Sequence, residues 1–348
     1  PSGDLILSYT DSYPRGYFRP ISETNPIGYG TGEWDWIWRE RQLIARIVSV
    51  LDQDIPESFI VDSDNDGYVD HVTFVIQGVT DGWAEMLWPH MSIMNNPAVT
   101  INGAIVSQYN FIIESFIIAY YGGVSVLAHE MFHSIGAPDL YRYTNQTITP
   151  IGQWDLMAAD TVPPQQTAAW MKYRYGGWVS VPLPIMQSGT YSLSPLVTSS
   201  TNISYRINSW RANEYYILEY RKPSEYIDSM VPGTGLLVYR LLLNVEGNSE
   251  GPPDELYIYR PHSSNNNIQG LLYQAAMSVQ NGFTAINETT VPSGFTSINT
   301  PGGLNIYEVG EAGETISFKV KISDVQLTSP LANDVWISGS YSQIRWKA

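Results

Sequence analysis

The residues that could do chemistry in this chain are concentrated in one short stretch, residues 129–139. Within it, His129 and His133 are four positions apart, and Glu130 lies between them. On a helix, side chains four residues apart lie on the same face, so the two imidazoles can bind one metal ion while Glu130 projects beside them. A catalytic zinc site takes three protein ligands and leaves one position for water. Gly136 lets the chain turn sharply after the helix, and we expect that turn to bring Asp139 back as the third ligand.

This stretch indicates a metal site rather than a helix that merely packs. The chain has five histidines, and a packing helix does not require two of them at metal-ligand spacing beside a glutamate. Bound zinc acidifies its water, and a neighbouring carboxylate can take the proton of that water as a general base. We therefore expect hydrolytic chemistry, with Glu130 as the base.

A second group of oxygen-bearing residues lies in the acidic turn 62–70. Its spacing matches the start of a calcium loop, in which alternating oxygen atoms wrap one hard cation. Position twelve is Thr73, so the usual bidentate glutamate is missing and another segment must supply a ligand. A simple turn before a strand is the alternative, but it does not account for four carboxylates packed together without a counter-ion. The candidate calcium ligands are Asp62, Asp64, Asp66, Tyr68 through its carbonyl, and Asp70.

Local sequence periodicity predicts the elements that carry these residues. Apolar residues recur at three- and four-residue steps over 38–51 and 123–135, which predicts two helices, the second closed by Gly136. Residues 71–77 follow the acidic turn and are β-prone, which predicts a strand. Beyond residue 181, short β-prone runs separated by Pro, Gly and Asn predict antiparallel sheet. These runs are 215–220, 235–243, 256–260 and 315–322.

Together these elements predict an α/β (α+β) fold in three parts. We expect a catalytic domain over residues 1–180, with a mixed sheet and an active-site helix, whose residues 1–32 form an extended segment on the core. A β-rich, sandwich-like domain over 181–325 is expected to follow. Residues 326–348 have the pattern of the first strands of an immunoglobulin-like domain, which is cut short because a whole one needs ~100 residues.

Composition excludes several classes of protein. Lys and Arg number 18 against 34 Asp and Glu, a net charge of −16, which disfavours a nucleic-acid partner. Cysteine is absent, which removes thiol nucleophiles, Cys-zinc sites and disulfides. No stretch of about 18 apolar residues is free of charges or turn signals, so we expect no membrane span. Since the chain starts at Pro1 without a leader and only 15% of its residues are charged, we expect a processed, secreted protein. We also expect it to be a monomer.

The helical motif also resembles that of a known family. Residues 129–139 follow the pattern HExxHxxGxxD, and Met157 lies in a short turn-like segment downstream. This arrangement resembles that of metzincin metallopeptidases, and specifically the secreted immune inhibitor A-type (M6-like) peptidases. The likeness extends over roughly residues 38–320. The other similar stretches are 62–70, 88–90, 138–141, 213–221 and 233–240.

This resemblance implies a metzincin-like catalytic domain that acts as a zinc-dependent endopeptidase on polypeptide substrates. It also implies a role for each residue of the motif. The zinc ligands are His129, His133 and Asp139, the catalytic residue is Glu130, and Met157 is the apolar floor beneath the metal.

Two alternatives stay open. His90 could line a substrate cleft or be a structural histidine. The alternative function is an extracellular adhesion or glycan-binding module whose metal site is purely structural. Glu130 argues against that module, because a structural site does not need it and usually has four protein ligands.

Overall fold

The computed structural model describes residues 6–30, 32–80, 85–118, 124–264, 267–322, 326–329 and 345–347. Strands outnumber helices among these residues, and the architecture is α+β, as predicted. None of the described helices is both long enough and apolar enough to cross a membrane. The chain divides into two compact units, Pro1–Pro138 with Asp160–Gln165, and Asp139–Ala159 with Gln166–Ala348. The predicted domain boundaries at 180 and 325 stay predictions.

The first unit contains a mixed sheet, which the sequence analysis predicted. Its helices are α1 (Glu33–Leu51), α2 (Glu114–Ile118) and α3 (Val124–Ser134). Its strands are β1 (Thr73–Ile76), β2 (His90–Ile93), β3 (Thr100–Ile101), β4 (Ala104–Ile105) and β5 (Gln108–Ile113). Strand β5 is central, with β1 parallel to it on one side and β2 antiparallel on the other. Strands β3 and β4 form a separate antiparallel pair.

The core of this unit joins α1, the sheet and the N-terminal segment. Leu43, Ile44 and Val48 of α1 are buried in one cluster with residues of β5, as expected for the apolar face of an amphipathic helix. Helix α1 begins five residues before the predicted start at residue 38. The Arg39 side chain donates hydrogen bonds to carbonyls of residues 17, 27 and 28. These contacts hold the N-terminal segment, which lacks described strands, against the helix.

The second unit is built mainly from antiparallel strands. Its helix is α4 (Ala169–Arg174), and the strands of its larger sheet are β6 (Leu183–Pro184), β8 (Ser204–Asn208), β9 (Glu214–Arg221), β10 (Gly235–Leu242) and β11 (Leu256–Ile258). The smaller sheet contains β7 (Gly189–Leu193), β12 (Ile306–Tyr307) and β13 (Ile316–Val320). The strand orders are β11-β10-β9-β8-β6 and β12-β13-β7.

The two sheets of the second unit share one hydrophobic core. Leu218 of β9, Val238 of β10 and Phe318 of β13 are buried in the same cluster, which is the arrangement of a sandwich. The four predicted β-prone runs all contain strands, so this part of the prediction is confirmed. The predicted start of an immunoglobulin-like domain over 326–348 lies largely outside the described residues. The two described parts of this segment, β14 (Gln326–Ser329) and β15 (Arg345–Lys347), pair antiparallel.

Candidate metal centre

Helix α3 carries the first two candidate ligands and the candidate base. His129 and Glu130 are buried. The Nε2 atoms of His129 and His133 lie 3.1 Å apart, and their rings meet edge to face with centroids 4.7 Å apart. The spacing of four residues therefore brings the two imidazoles together, as the sequence predicts.

The helix ends in a turn that requires a glycine. The N–H of Ala137 donates to the carbonyl of Phe132 (3.2 Å), and the N–H of Gly136 donates to the carbonyl of His133 (2.8 Å). This pair of bonds is the Schellman motif, whose central residue adopts a left-handed conformation. Gly136 has φ of +93°, which side chains disfavour. The chain leaves the helix here and reaches Asp139 three residues later.

His129, His133 and Asp139 form a candidate metal-binding triad. Each offers one ligand atom, and these atoms lie within 4.8 Å of one another. Nδ1 of His133 lies 2.7 Å from the carbonyl of Ala137, so the neutral ring donates there and keeps its Nε2 lone pair for a metal. Nδ1 of His129 lies 3.5 Å from a carboxylate oxygen of Asp160, the type of partner that orients a ligating histidine.

A buried asparagine on strand β5 holds the backbone of α3 beside Glu130. In the orientation that satisfies its surroundings, the amide nitrogen of Asn110 donates to the carbonyl of Glu130 (3.2 Å) and to Ser134 Oγ (3.0 Å). Its oxygen accepts from the N–H of Met131 (3.2 Å). The sheet thus fixes the position of the helical turn that carries the candidate base.

The segment after the turn fixes Asp139 and contacts the predicted Met-turn. The Tyr143 hydroxyl donates to Oδ2 of Asp139 at 2.5 Å. The next residue, Leu140, donates its N–H to the carbonyl of Met157 (2.8 Å), and the Met157 side chain is fully buried. The backbone of Met157 is therefore hydrogen-bonded to Leu140, the residue directly after Asp139, the third candidate ligand.

Asp155 holds the turn that contains Met157. Its carboxylate accepts hydrogen bonds from the N–H groups of Met157 (2.8 Å) and Ala168 (2.6 Å) and from the hydroxyl of Thr167. Burial raises the pKa of Asp155 to about 6, although these donors oppose the rise. The turn is thus fixed by a buried carboxyl group.

His90 lies at the start of strand β2 and belongs to a polar network. Its Nδ1 lies 2.7 Å from the carbonyl of Trp88 and its Nε2 lies 3.1 Å from Oε1 of Glu40. Both nitrogens face acceptors, so both carry protons and the ring is a cation. Burial lowers the pKa of His90, but the carboxylate of Glu40 outweighs burial and the pKa rises to about 9. The predicted role of His90 in a cleft stays a prediction.

The acidic turn brings together three of its carboxylates. Asp62, Asp64 and Asp70 each offer an oxygen atom, and these atoms lie within 4.8 Å of one another. Asp66 is outside this group, and its carboxylate accepts the N–H of Tyr68 at 2.8 Å. Backbone N–H groups at positions 66 and 67 donate to the carboxylate of Asp62. The turn is therefore a second candidate cation site.

Sequence reasoning missed the residues that support the triad. Asp160 and Tyr143 lie near the motif in sequence but match no ligand spacing, and Asn110 belongs to a separate strand. The sequence did contain a usable signal for Asp155, which lies between the apolar residues Trp154 and Leu156. A charged residue in such a position is buried only when it has hydrogen-bonding partners, so the sequence could have predicted a network around Asp155.

Comparison with models of known protein families finds no match to this chain, and comparison with curated proteins finds none either. The resemblance to metzincin peptidases therefore remains a prediction from the motif. The geometry of the triad and its neighbours is the basis for a functional proposal.

Proposed function

We propose that this chain is a zinc-dependent endopeptidase that hydrolyses peptide bonds. One observation carries the proposal: two imidazoles and a carboxylate offer donor atoms within 4.8 Å of one another. The buried carboxyl group of Glu130 directly follows the first imidazole in the chain. This combination matches the donor set and the base that metal-assisted hydrolysis requires.

The donor set fits zinc better than a hard cation. Two nitrogens and one oxygen suit zinc, whereas calcium and magnesium prefer oxygen ligands throughout. Among the described residues the group has three members, His129, His133 and Asp139. Three protein ligands are typical of a catalytic zinc site, and four are typical of a structural one. This count favours an enzyme over an adhesion module with a structural metal.

The residues of the chain divide the work of hydrolysis. Zinc bound to the triad would supply Lewis acidity, lowering the pKa of a water ligand and polarising the scissile carbonyl. Glu130 would accept the proton that the attacking water loses and deliver it to the leaving amine nitrogen. Asp160 and the carbonyl of Ala137 would keep both imidazoles in the correct orientation and tautomer. No covalent enzyme intermediate is needed.

Several further features belong to this proposal. We propose that the protein is a secreted, monomeric member of the immune inhibitor A-type metzincins, with polypeptides as substrates. The motif of residues 129–139 and the Met157 turn support this assignment. We also propose that the acidic turn binds calcium, supported by the convergence of Asp62, Asp64 and Asp70.

Hydrolysis of casein and of a quenched fluorescent peptide tests the activity, with and without a chelator. Glu130→Gln should lower turnover by at least ~10²-fold while zinc content, measured by elemental analysis, stays near that of the wild type. Glu57→Gln makes the same chemical change at an exposed glutamate and should leave turnover unchanged. Cleavage that survives chelation would exclude metal catalysis, and a fully active, zinc-loaded Glu130→Gln variant would exclude Glu130 as the base.

A further inference from the structure

The segment that carries Asp139 is attached to a distant loop, residues 247–255, which we call the anchor loop. The N–H of Asn248 donates to the carbonyl of Asp139 (2.8 Å), and its side-chain nitrogen donates to the carbonyl of Leu140 (2.9 Å). The N–H of Tyr143 donates to the carbonyl of Ser249 (3.0 Å). The backbone from the carbonyl of Asp139 to the N–H of Tyr143 is therefore fixed by residues more than 100 positions away.

Asn248 connects this segment to strand β11. Its side chain is fully buried. Besides its bond to Leu140, the amide nitrogen donates to the carbonyl of Leu256 (2.9 Å), and the amide oxygen accepts the N–H of Leu256 (3.2 Å). The amide thus makes three hydrogen bonds, and an aspartate here would set a carboxylate oxygen against two carbonyls.

An ion pair closes the other end of the anchor loop. Nε and an Nη atom of Arg142 donate to the two carboxylate oxygens of Asp254 at 2.7 and 2.6 Å. Such a two-bonded pair fixes the angle between the groups as well as their distance. Because Arg142 directly precedes Tyr143, this pair sets the position of the tyrosine.

The Tyr143 hydroxyl is thereby directed at Oδ2 of Asp139, 2.5 Å away. We propose that Tyr143, held by the anchor loop, is a positioning residue that orients the Asp139 carboxylate and so raises the metal affinity of the triad. This inference rests on metal binding by the triad in the proposed function. Partners of this type typically change metal affinity by 10–100-fold when they are removed.

The test is a zinc titration of Tyr143→Phe in the full chain, against a competing chromophoric chelator. The Kd for zinc should rise by roughly 10–100-fold. Tyr143 is 47% exposed, but its hydroxyl donates to the buried Asp139 carboxylate, so its loss should lower the urea unfolding midpoint of the metal-free protein modestly and leave the protein folded. Tyr273→Phe, the same change at a tyrosine that is 65% exposed, should leave both quantities unchanged. The absorption spectrum of bound cobalt gives a second readout of ligand geometry, independent of peptide cleavage.

The possible results separate this inference from the proposed function. A wild-type protein that binds no zinc overturns the proposed function and this inference with it. A wild-type protein that binds zinc with the same Kd as Tyr143→Phe overturns only the role of Tyr143. If Tyr143→Phe does not fold, Arg142→Lys is the second variant, because it replaces the two-bonded guanidinium by a single ammonium group. The Kd of Arg142→Lys for zinc must then be higher than that of the wild type. An unchanged Kd in a folded Arg142→Lys protein would also refute the inference.

Discussion

The ion pair between Arg142 and Asp254 gives the sharpest prediction about stability. Both side chains are 1% exposed, and their two hydrogen bonds are 2.7 and 2.6 Å long. Arg142→Met keeps most of the side-chain stem but removes the guanidinium. The carboxylate of Asp254 would then stay in the interior without its cation.

Removing one partner of a buried pair costs about 3–5 kcal/mol of unfolding free energy, because an uncompensated charge remains. We expect Arg142→Met to fall in that range. The double variant Arg142→Met, Asp254→Leu removes both charges and should recover most of the loss, since apolar residues of similar volume can replace such a pair. The resulting non-additivity is the coupling between the two side chains.

Urea unfolding monitored by tryptophan fluorescence measures these differences. A chelator should be present throughout, because bound metal would add its own stabilisation. Lys319→Met is the control, since Lys319 lies 2.6 Å from Glu308 but the two side chains are 40% and 63% exposed. An exposed pair of this kind contributes little, and the midpoint of Lys319→Met should match that of the wild type.

Two results would refute this reasoning. One is an Arg142→Met protein that unfolds at the same urea concentration as the wild type, which would mean that the pair does not matter for stability. The other is a double variant as unstable as Arg142→Met, which would show that the loss does not come from an isolated charge on Asp254.

Three further predictions concern His90, Gly136 and the acidic turn. The pKa of His90 is raised from 6.5 to about 9, so its stabilising contribution is complete below pH 6.5 and is lost as pH rises through about 9. NMR titration should give a midpoint near 9, and Glu40→Gln should lower it, because only the Trp88 carbonyl and the more distant charge of Glu130 then oppose burial. Gly136→Ala should cost about 1–2 kcal/mol in urea unfolding, since φ is +93°. Asp64→Asn should weaken calcium binding, measured by isothermal titration calorimetry.

Each of these predictions has a result that contradicts it. A His90 midpoint near 6.5 in the wild type would exclude the ion pair with Glu40. A Gly136→Ala protein as stable as the wild type would mean that the turn does not need a left-handed residue. Equal calcium affinity in the wild type and Asp64→Asn, or no binding in either, would exclude the turn as a calcium site.

Periodicity predicted the elements whose partners are local. Helix α3 was expected over 123–135 and spans Val124–Ser134, and β9 was expected over 215–220 and spans Glu214–Arg221. In both, the apolar repeat reports one buried face or a fully buried strand. The pairing of His129 with His133 is equally local, because four helical residues make about one turn.

The early start of α1 and the support of the triad were not predictable in this way. Residues 33–36 alternate an acidic residue with a tryptophan, a two-residue period that does not indicate a helix. Tertiary contacts such as those of Arg39 with the N-terminal segment form only in the fold. Asn248 and Asp254 contact residues 139–142 from more than 100 positions away. No local pattern encodes such a pairing, and hydrogen-bonding residues in loops are common for many reasons.

The anchor loop has a practical meaning for anyone who shortens this chain. A fragment that stops at residue 180 retains the complete HExxHxxGxxD signature but omits Asn248, Ser249 and Asp254. In such a fragment the carbonyls of residues 139 and 140 and the guanidinium of Arg142 lose the hydrogen bonds that Asn248 and Asp254 make with them. Possession of the signature is thus a poor guide to a competent truncation, and expression limits should extend past Leu256, where the Asn248 amide is tied to β11.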